Sequence, residues 1–261
     1  MKVVILTTSA DGVTGHHLPV LFNCKDIEIV MVVVSEGQIP NRKSKYLKRI
    51  KKILKIGLFG AINGVKMRRW YNEGIKKYCH IENAREFCIL NNIPFSSVPY
   101  TNSEETQKIF KDTGADIGLS LGNGYISKKV FSIPRYGMLN IHHEILPQYQ
   151  NAQSIIWELY NGSAETGYTI HKIDKQIDTG EIVLQEKIPI VFRETLSDTV
   201  SFNYARLFDA SVQGMVHIFE NFEQYYLNAK PQGKGGHYTT PSLLQFLKIK
   251  LQFKKLKKER R

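Results

Sequence analysis

Four short, nearly continuous apolar runs constrain the fold of this chain more than any other feature: Val3 to Thr8, Ile27 to Val34, Asp116 to Leu121 and Met138 to Ile141, with Pro94 to Val98 as a further strand-like segment. Each is strand-sized and reads as covered on both faces rather than on one. The segments between them read as helices: His16 to Phe22, Ile81 to Leu90, Ser103 to Asp112 and Ser127 to Phe131. Ser103 sits where a helix N-cap belongs, and Glu104 and Glu105 place negative charge in the first turn, where the helix dipole favours it. Alternating buried strands and helices specify an α/β fold with a mostly parallel sheet between helical layers.

After Pro147 the texture changes. A helix is expected over Ala152 to Tyr160, with Gly162 just past its end. Tyr168 to Ile173 and Ile182 to Ile190 have strand character, separated by the polar turn Asp174 to Gly180. Thr195 to Phe222 reads as one long helix, capped by Thr195 or Ser197. Its apolar stripe (Val200, Phe202, Leu207, Phe208, Val212, Met215, Ile218, Phe219) must be covered by the body or by a second copy. A homodimer using this C-terminal quarter is the expectation. Gln232 to Pro241 holds three glycines and reads as a loop. The expected organisation is a catalytic domain over 1–190 with a basic insert at about 42–77, then a C-terminal helical extension over 191–261 with a basic tail.

The formal net charge of +12 is concentrated in two places. Arg42 to Lys77 carries 13 bases and one acid, Glu73, and Lys248 to Arg261 carries eight bases and one acid, Glu259. The remainder has 22 acids against 15 bases, so the body is mildly acidic and the high charge does not make it a nucleic-acid binder. In the insert, Tyr46, Leu47, Ile50, Ile53, Leu54 and Leu58 recur at helical spacing, while Lys45, Lys48, Arg49, Lys51, Lys52 and Lys55 fill the other face. Such a basic amphipathic helix suits an anionic membrane surface, an RNA backbone, or packing on the body with its lysines solvated. Packing on the body or on a second subunit with the lysines solvated is the commonest outcome for such a face, peripheral membrane contact through the basic segments is the other expected use, and no nucleic-acid partner is expected. No run approaches the ~18 apolar residues of a spanning helix. Three cysteines show no framework spacing. A soluble, cytoplasmic protein is the expectation.

Gly12 and Gly15 follow the first strand, but the pattern is neither G-x-G-x-x-G nor a lysine-ending phosphate loop, so a turn bordering a ligand is expected there. The stronger constellation is Asn140, His142 and Asp178. Residues i and i+2 of a strand share a face, so an amide and an imidazole stand side by side at a carboxyl strand end, where open α/β sheets place ligands. Asp178 lies in the polar turn Asp174 to Gly180. An amide can donate to a developing oxyanion, an imidazole can move a proton near neutral pH, and a carboxylate can orient that imidazole. The trio suits acyl transfer to a neutral amine, and no serine or cysteine sits in a nucleophile elbow. His142 and His143 point to opposite faces of a strand and do not share an ion, so no metal is expected.

The ordered blocks Asn140-Ile141-His142, Leu146-Pro147 with Tyr149, Gly167-Tyr168-Thr169-Ile170-His171 and Asp178-Thr179-Gly180-Glu181-Ile182 resemble the formyltransferases that use 10-formyltetrahydrofolate. That resemblance spans the first three quarters of the chain. It implies a Rossmann-like formyltransferase domain with a short C-terminal helix or hairpin extension. It implies catalytic roles for Asn140, His142 and Asp178, with Asp178 holding His142 in its productive tautomer. It implies a folate pocket with Leu121, Gly122, Asn123, Gly124 and Tyr125 as one wall, and Asp174 and Ile177 in the other. Many relatives carry Arg-Gly after the aromatic that follows Leu-Pro; here Gln150-Asn151 stand there, which removes a cation from the acceptor side.

Nucleotide-sugar N-formyltransferases are the members with a comparably short extension. The expected acceptor is therefore the amine of a dTDP- or GDP-linked 4-amino-4,6-dideoxyhexose, for surface polysaccharide or O-antigen (lipopolysaccharide) synthesis. Gln148, Tyr149 and Asn151 are expected near the sugar. The alternatives are a methionyl-tRNA formyltransferase-like enzyme, and a non-catalytic binding module on the same fold.

Overall fold

A computed structural model describes residues 1–37 and 42–260. The described residues form one seven-stranded sheet: β1 (Lys2–Thr7), β2 (Glu28–Ser35), β3 (Phe95–Val98), β4 (Ile117–Leu121), β5 (Met138–His142), β6 (Glu165–Lys172) and β7 (Ile182–Pro189). The spatial order is β3-β2-β1-β4-β5-β6-β7. The first five strands are parallel, and β6 and β7 are antiparallel to their neighbours. The order reverses between β1 and β4, which opens a crevice at their carboxyl ends.

The central strands are apolar throughout because both faces are covered. Val3 and Ile5 of β1 enter one core with Leu119, Leu139 and Ile170, while Val4 and Leu6 enter another with Phe110, Val130 and Met138. The first core is closed by α1 (Val13–Phe22), α3 (Ala84–Leu90) and the later helices; the second is closed by α4 (Glu104–Thr113) and α5 (Lys128–Phe131). Ser103 caps α4 as its sequence implies, its side chain accepting from the Thr106 N–H.

Between β2 and α3 runs α2 (Arg42–Asn72), broken at Gly57, whose φ of 74° and ψ of 166° are not helical. Its second half buries Gly60, Gly64, Met67 and Trp70. The side chains of Lys45, Tyr46, Lys48, Arg49 and Lys52 lie outside the described residues.

Three expectations are corrected. First, α6 (Ile156–Tyr160) starts four residues later than the apolar pattern suggests, because Asn151 and Ile155 have φ of 52° and 70° and interrupt any helix through them. Second, the long C-terminal helix divides at Asn221 into α7 (Leu196–Glu220) and α8 (Phe222–Leu227), and α9 (Leu243–Glu259) forms from the basic tail. No hairpin forms among the described residues after β7: the chain adds only isolated pairings of Gln150 with His237 and Ile182 with Lys230. Three glycines between Pro231 and Pro241 supply no strand-forming alternation. Third, the α7 stripe is covered by its own chain. Val200, Leu207, Val212, Met215 and Ile218 are buried in the core that also holds Leu119 and Tyr168. The face expected to hold a second copy is therefore not exposed.

Candidate active site

β5 places Asn140 and His142 on one face at its carboxyl end, and the antiparallel partner β6 sets His171 directly opposite Asn140. The turn after β6 then returns Asp178 to the same point. Asp178 has a φ of 57°. Two residues on, Gly180 cannot be replaced without displacement: a Cβ there would lie 1.8 Å from the Lys172 carbonyl oxygen. Asp178 is fixed from the other side by Asn151, whose backbone N–H donates to Oδ2 at 3.0 Å, and by the Gln150 side chain, which donates to the Asp178 carbonyl at 3.3 Å.

Two hydrogen bonds to main-chain carbonyls decide the tautomers. The Tyr149 carbonyl accepts from His142 Nε2 at 2.8 Å, so the hydrogen sits on Nε2 and Nδ1 carries the lone pair. The Lys172 carbonyl accepts from His171 Nδ1 at 2.8 Å, so His171 Nε2 is the acceptor for the Asn140 amide at 3.2 Å. Burial holds His171 below its ordinary pKa, which keeps it the neutral acceptor this bond needs. Asp178 stands 3.8 Å from both His142 Nδ1 and His171 Nε2. That is beyond a hydrogen bond but close enough to stabilise a charge on either ring. The tautomer expected to be set by Asp178 is set by Tyr149 instead.

These groups open into a cleft of about 270 Å³. One wall is Gly122, Asn123, Gly124 and Tyr125; the other is Ile173, Asp174, Gln176, Ile177 and Asp178. Leu121, expected in the first wall, is buried and does not line the cleft: along β4 its side chain alternates with that of Ser120, which does line it, and enters the core with Leu119. The first wall is braced by Asn123 donating to Ser120 Oγ at 3.2 Å and by Asn102 donating to the Tyr125 carbonyl at 2.9 Å. Asp174 Oδ1 accepts from the Gln176 N–H and from Thr179 Oγ1, which tightens the second wall. Tyr125 and Ile177 are each about half exposed and flank the mouth.

The expected acceptor residues divide. Asn151 lines the cleft, whereas Gln148 does not: it is exposed, and its side chain donates to the Tyr149 hydroxyl at 3.3 Å. The Tyr149 ring does not face the cleft: it is buried against Trp157 and Tyr238, and only its carbonyl serves the site. The loop after α8 closes this side. Gln150 N–H donates to the Gly236 carbonyl and accepts at its own carbonyl from Tyr238 N–H, and a Cβ on Gly235 would lie 1.8 Å from the Pro147 carbonyl oxygen. His237 is thereby brought to within 3.5 Å of the Asn151 amide. His171, the Tyr149 carbonyl and His237 were not selected from the sequence; the one available signal was that His171 ends the run Tyr168 to His171.

His142 and His143 do point apart. His143 packs on Phe208 and approaches Ser211 Oγ at 3.2 Å, on the far side of the strand from the cleft. No cluster of three or more His, Cys, Asp or Glu suited to a metal occurs among the described residues.

Residues 91–218 match the family profile described as formyl transferase. The chain is 29% identical over 150 residues to the methionyl-tRNA formyltransferase of Thermosynechococcus vestitus, a match covering 57% of this chain and 44% of that enzyme. The chain thus spans less than half the length of the curated relatives it matches. Among solved structures, glycinamide ribonucleotide transformylase 1 from Symbiobacterium toebii superposes with a TM-score of 0.56 at 14% identity, over 86% of this chain and 88% of that one. An N-formyltransferase from Helicobacter canadensis, solved with folinic acid and dTDP-3-aminofucose, superposes with a TM-score of 0.55 at 14% identity, over 97% and 80%.

Proposed function

From a chain whose residues 91–218 carry a domain of the formyl transferase family, we propose an enzyme that transfers a formyl group from 10-formyltetrahydrofolate to the amine of a nucleotide-linked amino sugar. The observation that carries the reading is the convergence of Asn140, His142, His171 and Asp178 on one cleft at the carboxyl ends of β4 and β5. The cleft fits the folate. Two glycines leave backbone accessible along one wall, and Tyr125 and Ile177 supply apolar faces for a flat ring system at the mouth. The folate supplies the formyl carbon and accepts a proton on its departing nitrogen.

The chain's own residues do the rest. The His142 Nε2–H is committed to the Tyr149 carbonyl, so Nδ1 is the base that takes a proton from the attacking amine. The Asp178 carboxylate at 3.8 Å stabilises the resulting imidazolium. Asn140 gives one N–H to His171 and retains the second for the oxyanion that develops on the formyl oxygen. His142 then returns its proton toward the leaving nitrogen.

For the acceptor, the support is the loop over residues 232–241 closed upon Gln150 and Asn151 beside the catalytic groups. The Helicobacter canadensis neighbour, solved with an amino sugar nucleotide, superposes on 97% of this chain, its C-terminal quarter included. The reading places the reaction in the cytoplasm and its product in surface polysaccharide synthesis. A methionyl-tRNA acceptor is the second reading, favoured by the curated sequence relatives. The test is incubation with 10-formyltetrahydrofolate and a panel of dTDP- and GDP-linked amino sugars plus charged initiator tRNA, read by mass. A gain of one formyl group on a sugar supports the first reading. Formylation of tRNA alone selects the second, and no transfer to any amine rejects both.

A further inference from the structure

Among the described residues, none of α2, α9 or the two basic segments lines the catalytic cleft. Yet both helices leave large apolar side chains in water. In the first half of α2, Leu47, Ile50, Ile53 and Leu54 fall within one arc of the helix, and all are exposed, Leu54 by 78%. Beyond the Gly57 break, Leu58, Ile62 and Val65 form a second exposed stripe, opposite the buried Gly60, Gly64 and Met67. α9 behaves in the same way. It buries Phe246, Ile249, Phe253 and Leu256 and exposes Leu243, Leu244, Leu247 and Leu251. The two helices are neighbours: α9 starts where Pro241 and Ser242 lie against Gly60, and Trp70 packs on Phe246.

Three kinds of occupant could cover such a surface, and charge separates them. Between Arg42 and Asn72 there is no acid, and none of the described bases of α2 makes an ion pair. A second copy laid on α2 through a two-fold would set bases against bases. An RNA backbone would take the bases but gives no reason for exposed leucines, since phosphate contacts are electrostatic. An anionic bilayer takes both: headgroup phosphates pair with the lysines while the leucines enter the acyl boundary. We infer that α2 and the exposed stripe of α9 seat this protein on an anionic membrane surface, with α2 lying in the plane of the headgroups. This stands on exposure and charge, and does not depend on which acceptor is formylated.

The test is co-sedimentation of the full chain with vesicles of phosphatidylcholine containing phosphatidylglycerol, and with vesicles of phosphatidylcholine alone. Binding is expected only to the anionic vesicles and is expected to weaken as salt is raised. The double variant L54E/L58E, whose positions are solvent-exposed, should keep the far-ultraviolet circular dichroism of the parent and lose about tenfold or more in vesicle partitioning. Equal binding to both vesicle types, no binding to either, or unchanged binding by L54E/L58E overturns the inference. So does binding to RNA without binding to vesicles, or a concentration-dependent dimer in light scattering that L54E/L58E abolishes.

Discussion

The backbone carbonyl of Tyr149 holds the hydrogen of His142 on Nε2, through a 2.8 Å hydrogen bond, and so turns Nδ1 of the same ring toward Asp178. This divides labour in the cleft. A main-chain group that cannot be mutated away fixes the tautomer, and in the proposed mechanism Asp178 balances charge. Asp178→Asn should therefore leave His142 oriented but remove the stabilisation of its protonated form. The expected outcome is a fall in kcat with little change in KM for either substrate, whereas a pure KM effect would assign Asp178 to binding.

Asn140 is expected to be the oxyanion donor. Asn140→Ala should lower kcat on the order of 10²-fold or more, as loss of one such donor does elsewhere. His142→Ala should be at least as damaging, because it removes the base. Near-normal turnover in either variant would refute the assignment, provided the circular dichroism matches the parent.

Gly235 tests the acceptor side separately. A Cβ there meets the Pro147 carbonyl oxygen at 1.8 Å, so Gly235→Ala must shift the 232–241 loop away from Gln150 and Asn151. The acceptor KM should rise several-fold while folate affinity, followed by tyrosine fluorescence quenching or calorimetry, stays at the parental value. A matched loss of folate affinity would mean that the loop shapes the whole cleft.

Stability should fall on mild acidification. Burial, chiefly, holds the imidazoles of His17, His143 and His171 below their ordinary pKa, that of His143 at about 3. Their folded values lie below the unfolded value of about 6.5, so the unfolded chain takes up protons first, and stability is lost as pH falls below about 6.5. The buried carboxyls of Glu144 and Glu158 are pushed the other way, both chiefly by burial, and Glu144 also by the neighbouring Glu158. The double variant Glu144→Gln/Glu158→Gln removes the opposing groups. Its urea midpoint at pH 4.5 should therefore lie below its midpoint at pH 7; an equal or higher midpoint would contradict the histidine shifts.

The same carboxyl pair gives a substitution with the opposite sign from the usual core change. The Glu144 carboxyl accepts from no donor and, when protonated, hydrogen-bonds to Glu158, which also accepts from Thr166 Oγ1 at 2.9 Å. Because the folded pKa of Glu144 is raised, its cost grows as pH rises above about 4.5, by up to about 1.4 kcal/mol per pH unit. Glu144→Gln removes that ionisation. The variant should have a higher urea midpoint than the parent at pH 8, with the gap closing toward pH 4.5. A midpoint below the parent's at both values would show that packing outweighs the charge.

What the sequence determined by itself is the part of this protein that rests on local pattern. Apolar runs buried on both faces specified the parallel sheet, and Ser103 and Thr195 marked helix starts because capping needs only a hydroxyl at the right spacing. Asn140 and His142 were legible as neighbours because i and i+2 share a face of any strand. The tertiary structure decided everything that needed a partner distant in sequence. His171 joins Asn140 only through the β5–β6 register, and the Tyr149 ring is withdrawn from the cleft only because Trp157 and Tyr238 cover it. The stripe of α7 and the stripe of α2 look alike in sequence, since both repeat apolar residues at helical spacing. Packing alone separates them: α7 lies across the sheet and is covered, while α2 meets the body with one face and leaves its leucines in water.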